Sequence, residues 1–293
     1  MKLFVLFYSL LTALIVNSQE QTNVSSQVEN DKTQFLRIQY NENNAPQYLQ
    51  LANVRYAPAN NYPSNVYVDL ISAVHVGDKS YYESLNSLFK NYDAVLYELV
   101  APEGTKVSDK SAGEGKSMLS ALQHGMKNVL GLTFQLDEVD YDAENFVHAD
   151  ISPDDFVKSM DEKGESFLSM FLRMWLVGMQ QQATNPNAIN DMDLIFAMFS
   201  NNREAKLKQL VAVQFIEMDP VMNALEGKEG STILTTRNLK ALKVLREQLD
   251  KGHKKLAIFY GAAHMPEMEE LLITDFNFKP VKTDWVNAWD LTE

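Results

Sequence analysis

The chain contains two segments in which an apolar strand pattern ends in small residues, a histidine follows, and a helical pattern then begins. The first segment covers 66–74 and is followed by His75, and the second covers 256–263 and is followed by His264. In α/β proteins, ligands bind at the carboxyl ends of the strands, and histidine is both a metal ligand and an acid–base group. We therefore expect the two histidines to face one functional site.

The segments around the first histidine predict strands and a helix that alternate along the chain. Residues 35–40 and 48–56 are typical of strands. Asp78 is a suitable N-cap for a helix that ends near Asn91, and the apolar run 93–100 predicts a further strand. A strand–helix–strand unit indicates parallel pairing. The predicted fold is α/β, with a mixed, mainly parallel sheet flanked by helices.

The middle of the chain, about 106–225, has predominantly helical patterns and is interpreted as a large helical insertion in the α/β domain. Ser152 followed by Pro153 predicts the start of one of its helices. The segment 167–179 is apolar nearly all round, so membrane contact is possible. Arg173 and the short length of this segment favour a buried helix instead.

The N-terminus resembles a secretory signal peptide. Lys2 precedes an apolar run over 3–16, and we predict cleavage after Ser18; an N-terminal membrane anchor is the alternative. The polar residues 19–33 predict a disordered leader. The remaining residues, 34–293, are interpreted as one domain of a secreted or periplasmic protein.

Composition excludes some functions and restricts others. The formal net charge of −13 argues against nucleic acid as a partner. The chain has no cysteine, so disulfides and thiol catalysis are excluded, and a metal site must use His, Asp or Glu. Nothing in the sequence indicates an oligomeric state.

Two charged residues stand in apolar surroundings. Glu98 lies within the apolar strand pattern, and Arg237 lies on the apolar stripe of its predicted helix. Each is costly to bury alone, so they are expected to pair. A purely structural ion pair is one interpretation. The other is a site, because two histidines and a carboxylate can hold a divalent cation, and an arginine can clamp a carboxylate or stabilise an oxyanion.

A second polar cluster covers 135–150. His148 and Asp150 are two residues apart in an extended segment and are expected to point the same way. They either contribute to the site from the insertion or brace the start of the next helix, and we favour bracing.

Four features of the sequence, in their order along the chain, resemble motifs of the TraB/PrgY/GumN/Tiki superfamily. They are His75, Tyr97-Glu98-Leu99, Arg237-Asn238 and Gly261-Ala262-Ala263-His264. That family is marked by two Gly-x-x-His motifs, a Glu after the first and an Arg before the second. The resemblance extends from about Tyr48 to Trp285. Ser72 stands where the first motif has glycine, which is a mild change because serine is also small.

The resemblance implies a fold like that of erythromycin esterases and the haem-binding ChaN proteins. It also implies a metal-dependent hydrolase, with a peptide or another small molecule as substrate. His75, Glu98 and His264 would bind a divalent transition metal (Mn, Co or Zn), and Glu98 and Arg237 would be catalytic. The alternatives are metal-independent ester hydrolysis with a histidine as general base, and a non-catalytic protein that binds haem or a peptide. PrgY-type members reduce the activity of a peptide pheromone and need not all be proteases.

Overall fold

The computed structural model describes residues 33–60, 64–105, 129–166, 168–170, 172–173, 176–177, 180, 191–217 and 230–292. The predicted signal peptide and nearly all of the predicted leader lie outside these residues, as do 106–128 and parts of 167–179. None of the described helices is both long enough and apolar enough to span a lipid bilayer.

The described strands are β1 (Leu36–Tyr40), β2 (Pro46–Pro58), β3 (Tyr67–Ala73), β4 (Val76–Gly77), β5 (Ala94–Tyr97), β6 (Thr133–Phe134), β7 (Phe146–His148), β8 (Lys255–Gly261) and β9 (Phe278–Asp290). The described helices are α1 (Lys79–Phe89), α2 (Gln135–Glu138), α3 (Pro153–Glu162), α4 (Asp191–Met198), α5 (Arg203–Ile216), α6 (Arg237–Asp250) and α7 (Met265–Thr274). A π-helical turn (Thr232–Thr236) leads into α6, and a 3₁₀ turn (Ala262–His264) leads into α7.

Seven strands form one mixed sheet, which confirms the predicted α/β fold. The order is β1-β2-β3-β8-β5-β7, and β9 also pairs with β2. Strands β3, β8, β5 and β7 are mutually parallel, whereas β2 is antiparallel to β1, β3 and β9. Six of the strands therefore run in one direction and only β2 runs in the other. Strands β4 and β6 form a separate two-stranded sheet.

Apolar side chains cover both faces of the large sheet, as the alternation of side chains along a strand requires. On β8, Ala257 and Phe259 belong to the core on one face, and Ile258 and Tyr260 belong to the core on the other. Helices α1 and α5 cover the first face, and α6 and α7 cover the second. The helices thus leave the carboxyl ends of the parallel strands as the place where polar groups can gather.

The helix starts predicted at Ser152 and Asp78 are found, although the Asp78 cap works differently, and Ser231 also caps a helical turn. The Ser152 Oγ accepts a hydrogen bond from the Asp155 amide, and the Ser231 Oγ accepts one from the Leu234 amide, each at 3.1 Å. Asp78 precedes α1 as predicted, but its side chain makes no cap bond to the helix. Its carboxylate instead accepts hydrogen bonds from the Lys208 ammonium group and from a backbone amide of β9.

Three sequence-based expectations about strand pairing have different outcomes. The predicted sharing of one sheet by β5 and β8 is confirmed, since the two pair directly. The predicted direct pairing of β3 with β5 is wrong, because β8 lies between them. Within the predicted insertion, the described residues form α2 to α5 and also β6 and β7, and β7 joins the large sheet beside β5. Such pairings depend on residues far apart in sequence, which local patterns do not report.

Candidate functional site

Four polar residues follow the four neighbouring parallel strands, each within three residues of the strand's end. His75 follows β3, His264 follows β8, Glu98 follows β5 and Asp150 follows β7. Parallel strands end at the same edge of a sheet, so these side chains gather at one edge. That edge is the usual ligand-binding edge of an α/β sheet.

Glu98 is the centre of this group. Its Oε1 lies 2.7 Å from the Arg237 Nη2, and its Oε2 accepts a hydrogen bond from the Gly261 amide, also at 2.7 Å. The Glu98 side chain retains only 11% exposure. The predicted pairing of Glu98 with Arg237 is therefore present in the structure.

Arg237 is shared between two carboxylates. Its Nε and Nη2 atoms donate to the two oxygens of Asp150, at 2.9 and 2.6 Å, while Nη2 also contacts Glu98. The Asp150 side chain is completely buried. Asp150 therefore belongs to the site itself. The favoured interpretation from the sequence was that Asp150 braces the next helix, and it included no contact with Arg237. The two carboxylates carry two negative charges and the guanidinium carries one positive charge, so Arg237 balances only one of them.

The hydrogen bonds of His264 determine which ring nitrogen carries a proton. The Asn238 amide nitrogen donates to the Glu267 carboxylate, which can only accept, so the Asn238 Oδ1 faces the His264 Nδ1 at 2.6 Å. The His264 Nδ1 must therefore carry a proton and donate. This leaves the His264 Nε2 facing the Glu98 Oε1 at 3.6 Å, beyond hydrogen-bonding distance.

The environment of Glu98 keeps it ionised. Burial by itself would raise the pKa of Glu98, but the Arg237 guanidinium and the Gly261 amide, which contact its two oxygens, hold that pKa well below its usual range, and His264 acts in the same direction when its ring is protonated. A carboxylate stabilised in this way accepts a proton poorly, so it is a weak general base. The geometry therefore favours a ligand or positioning role for Glu98.

A cavity of about 160 Å³ opens at this edge of the sheet. It is lined by His75, Glu98, Leu99, Val100, Gln135, Leu136, Tyr141 and Arg237. His75 is exposed, whereas His264 is buried and contacts Glu98 without being one of the lining residues. The structure thus brings His75, Glu98 and Arg237 to one cavity and places His264 directly behind it.

His148 is not among the residues that line the cavity. Its Nε2 is 2.7 Å from the carbonyl oxygen of Leu99, and its ring packs against Tyr97. It therefore fixes the backbone that follows Glu98, whereas the favoured interpretation had it brace the start of the next helix.

Imidazole and carboxylate groups are chemically suited to Mn, Co or Zn. Even so, across the described part of the chain, no group of three or more His, Asp or Glu side chains is placed to hold one metal ion together. In this structure both Glu98 oxygens already contact Arg237 or Gly261. The donors that the resemblance implies have the right chemistry, but in this structure they are not arranged to bind one metal ion together.

Three polar residues of the site received no role from the sequence: Asn238, Gln135 and Tyr141. Asn238 directly follows Arg237 and is completely buried, and its adjacency to an expected site residue was the available signal. Gln135 and Tyr141 lie in the second polar cluster, whose purpose the sequence did not reveal. Their contribution depends on side-chain orientation, which sequence spacing does not encode.

No protein-family model, no curated protein and no solved structure matches the chain.

Proposed function

We propose that the chain is a hydrolase whose active site is the cavity at the carboxyl edge of the sheet, with a peptide or another small molecule as substrate. The observation that carries this proposal is the convergence of His75, Glu98 and Arg237 on one cavity, with His264 against Glu98. The order of these residues also supports membership of the TraB/PrgY/GumN/Tiki superfamily, which we propose on the motifs alone.

Arg237 is assigned to substrate binding. Its Nε and Nη2 atoms are engaged by carboxylates, whereas among the described residues its Nη1 makes only a 3.4 Å contact with the Ile233 carbonyl. A guanidinium has five N–H donors, so Nη1 retains donor capacity. This donor is suited to a substrate carboxylate or to an oxyanion that develops during hydrolysis.

A divalent transition metal (Mn, Co or Zn) is proposed as the cofactor. The support is the chemistry of His75, Glu98 and His264 and the negative charge that Glu98 and Asp150 leave beside one guanidinium. When bound, such a metal would polarise the scissile carbonyl. Because the three donors do not close into a metal site here, no catalytic step is assigned to the metal.

Hydrolysis without a metal is a second candidate, with His75 as general base. The favouring observation is that His75 is exposed and lines the cavity, whereas the His264 Nδ1 is already bonded to Asn238. In this mechanism His75 takes a proton from the attacking water, and the Arg237 Nη1 donates to the developing oxyanion.

Metal content and turnover measured on the same sample test the proposal. Purified protein is dialysed, its metal is quantified by mass spectrometry, and the hydrolysis of a fluorogenic peptide library and of simple esters is followed before and after chelation. A retained metal with chelator-sensitive peptide cleavage supports the metal-dependent hydrolase. Chelator-resistant cleavage supports the second candidate. Absence of all turnover overturns the hydrolase, and a haem absorbance band on reconstitution would then indicate a binding protein.

Export from the cytoplasm is proposed from the N-terminal pattern alone. The mature protein should begin near Gln19 and be found outside the cytoplasm. N-terminal sequencing of the exported protein tests this directly. Recovery of a chain that begins at Met1 in the membrane fraction would replace the signal peptide with an anchor.

A further inference from the structure

The cavity contains a polar pair that the proposed chemistry does not use. Gln135 is only 5% exposed, and its Nε2 donates to the Tyr141 hydroxyl at 2.6 Å. Within the described residues, the Gln135 Oε1 has no hydrogen-bond partner although it is buried. A buried acceptor without a partner is costly. The side chain of Gln135 lines the cavity, so a ligand there could supply the missing donor.

The Tyr141 hydroxyl is held as a donor. Because its oxygen accepts from Gln135, its own proton must point elsewhere. Burial raises the pKa of Tyr141, so the hydroxyl keeps this proton at neutral pH. The ring packs against Tyr97, Phe146 and Phe259, with centroid distances of 5.2, 5.8 and 6.5 Å, and these contacts fix its position.

The pair is anchored beside the candidate catalytic histidine. The backbone N–H of Gln135 donates to the backbone carbonyl of His75 at 3.0 Å. The adjacent residues Val76 and Phe134 pair with each other and join β4 to β6. The turn that carries His75 and the start of α2 are therefore one hydrogen-bonded unit. A group bound by Gln135 and Tyr141 would lie next to His75 and Arg237 in the same cavity.

We propose that Gln135 and Tyr141 form a subsite for the backbone of one extended residue of a peptide ligand, an inference that rests on the proposed function and names its substrate class. In an extended chain the N–H and the carbonyl of one residue point to the same side, so that residue's N–H donates to the Gln135 Oε1 and its carbonyl accepts from the Tyr141 hydroxyl. An ester has the carbonyl but lacks the N–H, so it would leave the Gln135 Oε1 without a partner. The pair thus selects peptides over esters.

The size and walls of the cavity agree with a short peptide unit. Its volume is about 160 Å³, close to the roughly 150 Å³ of an engineered cavity that binds benzene. Leu99, Val100 and Leu136 supply apolar wall. A residue with a small apolar side chain, such as alanine, matches both the volume and the polarity.

Binding of two small probes tests the subsite independently of catalysis. One probe is N-acetylalanine N-methylamide, and the other is the same molecule with both amide nitrogens methylated, which keeps the carbonyls and removes the N–H donors. Dissociation constants are measured by ligand-observed NMR on the full mature chain. Wild type should bind the unmethylated probe about tenfold or more tightly than the methylated one.

Three variants assign this preference to the two side chains. Gln135→Met should lower the preference to within about twofold, because the acceptor is gone. Tyr141→Phe should weaken both probes by a similar factor, because both keep the carbonyl. Tyr97→Phe is the matched control, since Tyr97 packs against Tyr141 but does not line the cavity; it should bind both probes as wild type does. The melting temperature of each variant shows whether it is folded.

Several outcomes would overturn the subsite. These are equal binding of the two probes by wild type, no binding of either up to its solubility limit, or an undiminished preference in Gln135→Met. The last result would mean that the added methyl groups clash rather than lose hydrogen bonds. Amide-selective binding without any peptide turnover would keep the subsite and remove the hydrolase. Peptide turnover without amide-selective binding would keep the hydrolase and remove the subsite.

Discussion

Arg237 and Glu98 are 139 positions apart in sequence, yet the Arg237 Nη2 lies 2.7 Å from the Glu98 Oε1. Their side chains are only 10% and 11% exposed. The contact joins the first residue of α6 to the residue that follows β5, and Asp150 connects the same guanidinium to the residues after β7. One arginine therefore joins the carboxylates of two neighbouring strand ends and balances one of their two negative charges.

Removal of this guanidinium is expected to be strongly destabilising. Arg237→Ala leaves Glu98 and Asp150 buried without their cation, and loss of one partner from a buried pair costs about 3–5 kcal/mol of unfolding free energy. Urea unfolding measures the change. Arg246→Ala is the control on the same helix, because Arg246 is exposed and lies over the Phe276 ring; it should cost at most about 1 kcal/mol. An equal, small loss in both variants would contradict the importance of the network.

The placement of the site could be predicted because it follows from local patterns. A strand pattern that ends in small residues before His75 and His264 predicts where a strand stops, and parallel strands stop at a common edge. The charged residues Glu98 and Arg237 were recognisable because each interrupts an apolar pattern. These signals need only a few neighbouring residues.

The order of the strands could not be read in the same way. Nothing near β3 or β5 in the sequence indicates that β8, more than 150 residues after β5, lies between them. The position of β7 beside β5 likewise places Asp150 against Arg237. Long-range pairing is decided by packing of the whole chain, so it is visible only in the structure.

Substitution of His75 is expected to separate activity from stability. His75 is exposed, so His75→Ala should abolish hydrolysis and change unfolding free energy by no more than about 0.5 kcal/mol. His264→Ala should also abolish hydrolysis, but it leaves Asn238 without its partner, at a cost of about 1–3 kcal/mol. Peptide turnover and urea unfolding are measured on the same preparations.

The control for both is His253→Ala, because His253 precedes β8 at the opposite end of that strand from His264. It should retain wild-type turnover. Retained turnover in His75→Ala would remove His75 from the active site, whichever mechanism operates.

Stability should depend on pH through Glu98. The folded state lowers the pKa of Glu98 below that of the unfolded chain, so folding is favoured by this group above the unfolded value of about 4.3. That contribution is lost as the pH falls below this value and through the lower folded pKa. Wild type should therefore lose more unfolding free energy than Glu98→Gln between about pH 6 and pH 3. The exposed control Glu83→Gln should keep the wild-type slope. Parallel slopes for wild type and Glu98→Gln would show that Glu98 is not stabilised as an anion.

The serine that replaces the motif glycine supplies a test of local packing. Ser72 is completely buried in β3, and among the described residues its hydroxyl has no hydrogen-bond partner. Ser72→Ala removes that hydroxyl and avoids the backbone entropy cost of glycine, so unfolding free energy should rise by about 1 kcal/mol. Thermal and urea unfolding measure it.

Ser159→Ala is the matched control for Ser72→Ala. Ser159 is also buried, but its hydroxyl contacts the hydroxyls of Thr232 and Thr236 at 2.8 and 3.0 Å. Its removal should lower stability by about 1 kcal/mol or more, because one buried and one half-buried hydroxyl lose a partner. The two substitutions are identical in chemistry, so opposite signs would isolate the effect of hydrogen bonding. A loss of stability in Ser72→Ala as large as that in Ser159→Ala would mean that the Ser72 hydroxyl has a partner in solution.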